Sequence, residues 1–382
     1  MDFSLTPQQD DIRKLCYEFG QTVVAPRAEE MDRTAQFPYD IAEQMADLGL
    51  LGVPFPKEYG GMGGDTICYA IAVEEISRAD ASTGITVAAH TSLGASPFYL
   101  FGTEEQKREY LVPLARGKRL WSFGLTETEA GSDAGGVQTT AELRDGQWII
   151  NGGKRYITNS GTNISGGVTA AVVTGRREDG RPEISSIILP RDTPGYTVLP
   201  PYRKMGWRSA SVHPLSFDNC AVPEENLLGA RGQGSKQCLI TLDGGRISVA
   251  ALSVGLAQGA YDAAFAYARG RRQFGQPIST FQAIQHKLAD MATEIELART
   301  LTYKAAWLKD QGKDFRLAAA QAKLFASEVS VRAADQALQV SGGAGFMDDT
   351  PFARYYRDAK INEIGEGTSE ILRGVIAKLL GC

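Results

Sequence analysis

The spacing of apolar residues changes twice along the chain, and no other feature constrains its fold as strongly. Before residue 120 apolar residues recur every three or four positions, which is typical of helices. Residues 5–32 show this best: Thr6 and Gln9 form a capping box, Pro7 occupies the first helical position, and apolar residues follow at helical spacing, namely Ile12, Leu15, Phe19 and Val23. Further helices are predicted over 39–50, 68–79 and 104–111, interrupted by the Gly/Pro-rich stretch 54–64 and by Pro97.

After Trp121 the pattern becomes typical of strands. Short apolar runs alternate with turn residues, including an Asp145-Gly146 turn, and predict strands over 139–143, 148–150, 168–174, 184–189 and 196–199. From Gly234 long Ala-rich helical patterns return, over 247–269, 281–311, 317–340 and 369–380. We therefore predict an α+β protein with an N-terminal helical domain (1–120), a middle β domain (121–230) and a C-terminal helical bundle (231–382).

The charge balance and the apolar runs argue against two classes of partner. Lys and Arg number 40 against 45 Asp and Glu, a formal charge of −5, so the basic surface of a nucleic-acid-binding protein is not expected. No continuous apolar run reaches the roughly 18 residues of a membrane-spanning helix, and the start of the chain resembles neither a signal peptide nor a targeting leader. We expect a soluble, unsecreted protein without membrane contact.

The cysteines and histidines indicate neither disulfides nor a metal site. The five cysteines are an odd number, widely scattered, and form no C-x-x-C pair. No two of His90, His213 and His286 have metal-ligand spacing, so we expect each to be structural. The reducing cytoplasm fits this composition, and we expect no bound metal.

Two segments imitate known motifs without their structural context. Gly342-Gly343-Ala344-Gly345 follows a predicted helix and lacks the third glycine of a dinucleotide-binding motif, so neither a Rossmann nor a P-loop site is expected. Ser253 stands in a segment similar to a nucleophile elbow, but inside an Ala-rich helical run. We interpret Ser253 as a helix-packing residue.

The segment 124–136, GLTETEAGSDAGG, is the first that points to a ligand. It gathers small residues, hydroxyls and carboxylates where the β domain begins. Backbone N–H groups and short hydroxyls, such as those of Thr126 and Ser132, can approach ligand carbonyls or phosphates where a larger side chain blocks access. An ordinary surface loop can have the same composition, so the segment alone leaves both interpretations open.

This segment resembles the flavin-binding signature of the acyl-CoA dehydrogenase family, and other segments extend the resemblance over nearly the whole chain. In family order they are KMG at 204–206, RRQFG at 271–275, QVSGGAGF at 339–346, YRDAKI at 356–361 and EGTSE at 366–370. The resemblance implies an N-terminal helical domain, a middle β domain and a C-terminal four-helix bundle, in agreement with the periodicity. It also implies FAD between the β domain and the bundle, with an acyl-CoA thioester between the flavin and a catalytic base.

The resemblance assigns most candidate site residues to FAD. The loop would cradle the flavin through Phe123, Leu125, Thr126, Gly131 and Ser132. Tyr156 would stack on the isoalloxazine ring and Thr158 would hydrogen-bond near its reacting nitrogen, although a core-facing strand residue is the alternative for Tyr156. Residues implied to reach the FAD of a neighbouring subunit, or to close over the cofactor, are Arg271, Gln273, Phe274, Phe281, Gln282, Gln339, Val340, Gly342, Gly343, Thr368 and Glu370.

A cofactor shared between chains implies an obligate oligomer. The guanidinium of Arg271 suits bidentate phosphate binding, although paired arginines at a helix end can instead complement the helix dipole. By resemblance we expect a homotetramer, assembled as a dimer of dimers.

Glu366 occupies the position of the family's catalytic base. A carboxylate across the acyl chain from the flavin can take the proton α to the thioester while hydride leaves the β carbon. Burial beside the acyl chain is expected to raise its pKa toward neutral pH. The resemblance places donors to the thioester oxygen at the Glu366 N–H and a flavin ribityl hydroxyl, and substrate contacts at Ser132, Asp243, Arg246 and Gly367.

Two further observations bear on the base. Some family members carry it on a different helix, and the matching stretch here, LDGGR at 242–246, has glycine at that place. This favours Glu366 over its alternative, a solvent-facing acid like its neighbours. The family commonly has an aromatic residue before the base, whereas this chain has Gly365, so we expect a wider pocket that admits a bulkier or more polar acyl group.

The sequence therefore predicts an FAD-dependent acyl-CoA dehydrogenase that forms a trans-2,3 double bond and passes electrons to an electron-transferring flavoprotein. Its segments look most like those of bacterial short-chain, butyryl-type members. Three alternatives stay open: an enoyl-CoA reductase working in the reverse direction on a chain that can carry a distal carboxylate, an oxidase using dioxygen, and a catalytically silent protein that binds CoA esters.

Overall fold

The chain is helical before residue 120 in the structure, a computed structural model that describes residues 4–382. The predicted capping box is confirmed, because Thr6 Oγ1 accepts the Gln9 N–H at 3.3 Å and the Gln9 side chain accepts the Thr6 N–H at 3.0 Å. A π-helical turn at Gly20–Val24 and a 3-10 turn at Ala25–Arg27 then make the first helix irregular. The α-helices are α1 (Pro7–Phe19), α2 (Ala28–Thr34), α3 (Tyr39–Asp47), α4 (Thr66–Ala79), α5 (Ala81–Ala88), α6 (Ser96–Phe101), α7 (Glu104–Gln106) and α8 (Val112–Ala115).

Pro97 lies inside the first turn of a helix, so the prediction that it interrupts the helices was wrong. The π-helical turn Ala89–Ala95 leads directly into α6, whose first turn contains Pro97. At that position the missing N–H of proline has no helical partner to lose. Proline is therefore compatible with a nearly continuous helical path here.

The middle of the chain forms a seven-stranded sheet. Its strands are β1 (Leu120–Gly124), β2 (Thr140–Arg144), β3 (Gln147–Thr158), β4 (Ser165–Arg176), β5 (Pro182–Pro190), β6 (Tyr196–Val198) and β7 (Val212–Pro223). Neighbours follow the order β1-β4-β2-β3-β7-β6, with β5 paired to β4. The β4 pairings with β1 and β2 are parallel, and all others in this sheet are antiparallel. The predicted turn at Asp145-Gly146 joins β2 to β3 with positive φ at both residues, as a type I′ turn requires.

Two strands, β1 and β7, were not predicted, and β3 is much longer than its predicted core. In β3, Gly152 and Gly153 interrupt the apolar alternation, and the pairing with β7 shifts register on both sides of these residues. A Cβ at Gly152 would lie 2.8 Å from the Thr139 Cα, so the neighbouring backbone requires glycine there. The glycines that this close packing requires interrupt the apolar alternation, so the sequence pattern predicted only part of the strand.

After β7 the chain returns to helices, and the four-helix bundle is confirmed. Its helices are α9 (Gly234–Gly270), α10 (Gln282–Asp310), α11 (Arg316–Ser341) and α13 (Ser369–Leu380), with the unpredicted short α12 (Pro351–Ala359) before the last. A small hairpin of β8 (Arg272–Gln273) and β9 (Gln276–Pro277) joins α9 to α10.

The longest helix, α9, is a core helix. By length and composition it resembles a membrane span, with a mean hydropathy of 1.4 in its most apolar window, but 72% of that window is buried inside the protein. It packs on α4 so closely that a Cβ at Gly255 would lie 2.1 Å from the Glu74 carbonyl oxygen. The N-terminal helices and the bundle therefore share one apolar core.

Candidate active site

The turn between α12 and α13 holds Glu366 in an unusual backbone conformation. The N–H groups of Ile364 and Gly365 both donate to the Ile361 carbonyl, which ends the preceding 3-10 turn. Glu366 then has a φ of 54° and Gly367 a φ of 101°. A positive φ costs a residue with a side chain about 1–2 kcal/mol, so the surrounding structure enforces this conformation.

The carboxylate of Glu366 points toward α9 and lacks a partner. Its Oε2 atom is buried and makes no hydrogen bond with any described residue. A Cβ at Gly245 of α9 would lie 2.2 Å from this oxygen, so a side chain at 245 and the carboxylate exclude each other. This fits the expectation, drawn from the glycine at 242–246, that Glu366 is the acid at this site.

Burial raises the pKa of Glu366 to about 7, against the opposing effect of the positive charges on Lys323 and Arg246. A buried carboxylate with one free oxygen and a pKa near neutral can both accept and release a proton at physiological pH. Such a group is a candidate for general base catalysis.

Two basic residues stand beside the carboxylate. Arg246 was predicted as a substrate contact, and the structure buries it in an ion pair with Asp243, leaving its Nε without a partner. Lys323 was not predicted. It lies fully buried in α11 and donates to the Gly367 carbonyl at 2.6 Å. Its place on the buried stripe of α11, among alanines three and four positions away, is the signal that could have found it.

The predicted loop 124–136 is organised by a buried ion pair that the sequence did not reveal. Lys154 of β3 lies 2.6 Å from Glu127 Oε1 and also donates to the Ala171 carbonyl. The Glu127 carboxylate accepts the backbone N–H groups of Gln138 and Thr139 as well. Burial alone would raise the pKa of Glu127, but these partners lower it below its usual value. The ion pair thus fixes both ends of the loop, while Gly131 and Ser132 at its tip are exposed.

Tyr156 faces solvent beside this loop, so the alternative of a core-facing strand residue was wrong. Its side chain is 66% exposed, its φ is 59°, and its ring packs 5.1 Å from that of Tyr202. The neighbouring Arg155 N–H donates to the Thr126 carbonyl, which brings the loop and Tyr156 together. The partly buried predicted residues of the same region are Phe123, Leu125, Thr126 and Thr158.

The remaining predicted residues lie apart from this cluster within the single chain. Within residues 4–382 no hydrogen bond or ring contact joins the β8–β9 hairpin or the end of α11 to the loop 124–136. Most of these residues are exposed: Arg271, Gln273, Phe274, Gln282, Gln339, Gly342, Gly343 and Glu370. Phe281 packs on Phe274 at 5.9 Å, Thr368 caps α13, and the Val340 side chain is buried.

Most of the side chains predicted to be structural have structural contacts, but His286 is exposed and its ring makes no hydrogen bond among residues 4–382. The His90 ring lies between the Leu114 carbonyl and the Trp121 N–H, and burial lowers its pKa to about 4. His213 bonds the Leu199 carbonyl, and the Ser253 hydroxyl donates to the Val249 carbonyl inside α9. All five cysteines are free.

Models of three acyl-CoA dehydrogenase domains match the chain in order. The N-terminal domain matches residues 6–118, the middle domain 122–220 and the C-terminal domain 232–381. The matches together span most of the chain.

Proteins of similar sequence carry related names. The probable acyl-CoA dehydrogenase YngJ of Bacillus subtilis is 55% identical over 380 residues, covering 100% of both chains. A short-chain-specific acyl-CoA dehydrogenase of Clostridium acetobutylicum is 44% identical over 99% of both chains. An acryloyl-CoA reductase (NADH) of Anaerotignum propionicum is 42% identical over 99% of this chain and 95% of the relative.

Solved structures agree with these relatives. A chain from the structural work on the electron transferring flavoprotein of Acidaminococcus fermentans has a TM-score of 0.97 at 45% identity, and butyryl-CoA dehydrogenase from Megasphaera elsdenii has 0.96 at 42%, each with 100% of both chains covered. An acyl-CoA dehydrogenase complexed with FAD from Bacillus anthracis has 0.92 at 34%, covering 99% of this chain and 67% of that one. Three domain models in their proper order and relatives alike over their full length make this chain a member of the acyl-CoA dehydrogenase family.

Proposed function

We propose that the protein is an FAD-dependent acyl-CoA dehydrogenase that converts an acyl-CoA thioester into the trans-2-enoyl-CoA, with Glu366 as the general base. The observation that carries this proposal is the Glu366 carboxylate, whose Oε2 is buried without a hydrogen-bond partner among residues 4–382 and whose pKa is raised to about 7. A base poised near neutral pH is what proton abstraction next to a thioester carbonyl requires. Family membership supports the cofactor and the substrate class.

The reaction divides between this carboxylate and the cofactor. When bound, FAD supplies the acceptor for the hydride that leaves the β carbon, a chemistry that protein side chains lack. Glu366 takes the proton from the α carbon, so that the electron pair of that C–H bond forms the new double bond. The hydride carries away the two electrons of the oxidation.

The backbone N–H of Glu366 is available to the thioester oxygen. It makes no hydrogen bond among residues 4–382, since the last N–H that bonds back into the preceding turn is that of Gly365. A donor aimed at an oxygen that gains negative charge lowers the barrier to proton abstraction. The same turn therefore supplies the base and one donor to the thioester.

The region around Tyr156 fits an isoalloxazine ring. Tyr156 offers an exposed aromatic face, and the buried hydroxyl of Tyr202 beside it has no hydrogen-bond partner in the described part of the chain. A Cβ at Gly131 would meet no atom within 4 Å, so the tip of the loop is open to a ligand. We propose that Tyr156 stacks on the ring, that Thr126 and Thr158 bond its edge, and that Ser132 contacts both cofactor and CoA ester.

The β8–β9 hairpin supports a homotetramer built as a dimer of dimers. Phe274 at its tip is 93% exposed on a rigid type I′ turn with φ values of 51° and 80° at Phe274 and Gly275. This places an apolar side chain where a neighbouring chain could cover it, in agreement with the oligomer that family membership leads us to expect. We propose that the hairpin and the exposed end of α11 reach the FAD of the neighbouring subunit, with Val340 contributing backbone alone.

We propose an electron-transferring flavoprotein as the electron acceptor and the cytoplasm as the location. The chain of TM-score 0.97 from the work on such a flavoprotein supports the acceptor. The soluble-type bacterial relatives support the location.

The substrate is proposed to be a short acyl chain, with room for a branch or a distal carboxylate. A Cβ at Gly365 would meet only the Ile361 carbonyl oxygen, at 3.6 Å, so the position before the base is open. Gly365→Tyr is expected to lower the rate on branched and carboxylated acyl-CoAs about tenfold more than on butyryl-CoA, because the ring takes up that space. Equal losses on all three substrates would contradict the wider pocket.

Anaerobic bleaching of the flavin by a panel of acyl-CoAs tests the reaction itself. Glu366→Gln is expected to keep its flavin and to lose about 10³-fold in bleaching rate, because an amide matches the shape but cannot take the proton. Glu363→Gln is the matched control on the same turn, since Glu363 pairs with Lys360 at its surface, and it should bleach at the normal rate. If Glu366→Gln bleached as fast as the unchanged protein, Glu366 would not be the base.

The similarity to an acryloyl-CoA reductase keeps a second function in view, enoyl-CoA reduction in the reverse direction. Reduced protein that transfers electrons to an enoyl-CoA faster than to an electron-transferring flavoprotein would favour it. Rapid reoxidation by air alone would identify an oxidase. A colourless protein that stays colourless with added FAD would indicate a silent CoA-ester-binding protein.

A further inference from the structure

Lys323 is a lysine at a position where the packing of α11 favours an apolar residue. Its neighbours on the buried stripe are alanines and serines, including Ala319, Ala326 and Ser327, and Lys323 itself is 0% exposed. Burying an ammonium group costs several kcal/mol unless it is paired. Within residues 4–382 its one hydrogen bond is to the Gly367 carbonyl, at 2.6 Å. The hydrogen bond that offsets part of this cost is therefore made to the turn that carries Glu366.

This hydrogen bond fixes the strained part of the turn. The Gly367 carbonyl follows directly on the two positive φ values of Glu366 and Gly367. On the far side, Thr368 caps α13 by accepting the Ile371 N–H. Lys323 thus holds the turn between the end of one helical segment and the beginning of the next, and no other side chain of residues 4–382 donates to the Gly367 carbonyl.

The charges around Glu366 give Lys323 a second role. Three ionisable groups face the carboxylate: Lys323 from α11, Arg246 from α9 and the hydroxyl of Tyr69 from α4. Arg246 is already paired with Asp243, and the Tyr69 hydroxyl donates to the Ala88 carbonyl.

The other acids near Lys323 do not compete for its charge. Glu363 is paired with Lys360, and Glu370 is exposed in the first turn of α13. Of the two cations that face the Glu366 carboxylate, Lys323 is therefore the one that no ion pair neutralises among residues 4–382.

We propose that Lys323 is the positioning residue of the base: it holds the Glu366–Gly367 turn through the Gly367 carbonyl and supplies the positive charge that keeps the carboxylate ionised before proton abstraction. This rests on the role proposed above for Glu366. Among residues 4–382 Lys323 makes no hydrogen bond with the loop 124–136 or the hairpin, although the turn that it holds leads into Thr368, a residue assigned to the cofactor.

The test is the pH dependence of anaerobic flavin bleaching by butyryl-CoA in Lys323→Met. Methionine has a similar volume and no charge, so the helix can keep its packing. Without the positive charge the pKa of the base rises, and the acid limb of the rate profile is expected to move up by about one pH unit, which lowers the rate about fivefold at pH 7 and about tenfold at pH 5. Lys323→Gln, which also removes the charge, is measured in parallel and should show the same shift.

Lys287→Met is the matched control, because Lys287 also reaches α11, through Gln336, but does not face Glu366. It should leave the profile unmoved. An acid limb that stays in place in both Lys323 variants would overturn the proposal, even if the maximal rate fell, because a purely structural lysine lowers the rate without moving the limb. Failure of the proposed function is recognised separately, by normal bleaching in Glu366→Gln.

Discussion

Glu366 and Asp358 are both buried carboxylates whose pKa is raised to about 7, and their surroundings differ in almost every respect. Burial is the main cause in each case, followed for Asp358 by the nearby negative charge of Asp80. Asp358, in α12, accepts the Trp207 N–H at 2.6 Å. Glu366 keeps an oxygen that accepts nothing among the described residues.

Asp358 lies where three parts of the chain meet. A Cβ at Gly206 would lie 2.5 Å from the Arg357 carbonyl oxygen, so the loop before β7 touches α12 at the backbone. Arg357 bonds Asp32 in α2 and the Met205 carbonyl in that loop. A raised pKa alone therefore does not separate the two carboxylates, and what sets Glu366 apart is its buried Oε2, which accepts no hydrogen bond among residues 4–382.

The largest expected difference between the two carboxylates is in the rate of flavin bleaching. Asp358→Asn is expected to keep the bleaching rate within about tenfold, because its amide oxygen still accepts the Trp207 N–H, against the loss of about 10³-fold in Glu366→Gln. Stopped-flow bleaching at pH 7 measures both. Equal losses would show that the free oxygen is not what separates the two residues.

Removing either carboxylate should relieve a charge that burial opposes, but Asp358 also takes part in a hydrogen bond. In Glu366→Gln the loss of the charge raises the free energy of unfolding at pH 8 by about 2–3 kcal/mol. In Asp358→Ala the same kind of relief is offset by about 2 kcal/mol, because the Trp207 N–H loses its acceptor and Arg354 a nearby negative charge. Urea unfolding of the holoprotein measures both, and a loss of stability in Glu366→Gln would contradict the view that burial opposes its charge.

The smallest effect is on the pH dependence of stability. Each carboxyl has a folded pKa above its unfolded value, 4.5 for Glu366 and 3.8 for Asp358, so the folded protein binds more protons between those values and pH 7. Their contribution to stability is therefore fully present at lower pH and is lost as the pH rises through this window. Glu366→Gln should show a smaller decrease in urea midpoint between pH 5 and pH 8 than the unchanged protein. Parallel curves would indicate that Glu366 has an ordinary pKa in the fold.

The sequence predicted the helices and turns whose residue pattern depends on neighbouring positions in the chain alone. The helix over 369–380 and the turn at Asp145-Gly146 were found because capping, periodicity and turn chemistry are local. β1, β7 and α12 were missed, and Pro97 was misread. In these places packing against distant segments, or the position of a residue within a helix, decides the structure.

The candidate site shows the same division. Glu366 and Tyr156 stand in recognisable motifs, and the structure gives both an unusual backbone and an unpaired or exposed side chain. Lys323 bonds Gly367, and Glu127 pairs with Lys154, over large separations in sequence. No local pattern therefore predicts these contacts. Buried charges within apolar stretches are the signal that a sequence offers for such residues.

Gly245 couples the substitutions that positions 245 and 366 can accept. Since a Cβ there would lie 2.2 Å from Glu366 Oε2, the two positions cannot be changed independently. A substitution at 245 that is harmful in this protein becomes acceptable once Glu366 is replaced by a small residue. In a library of variants these two sites should therefore display sign epistasis.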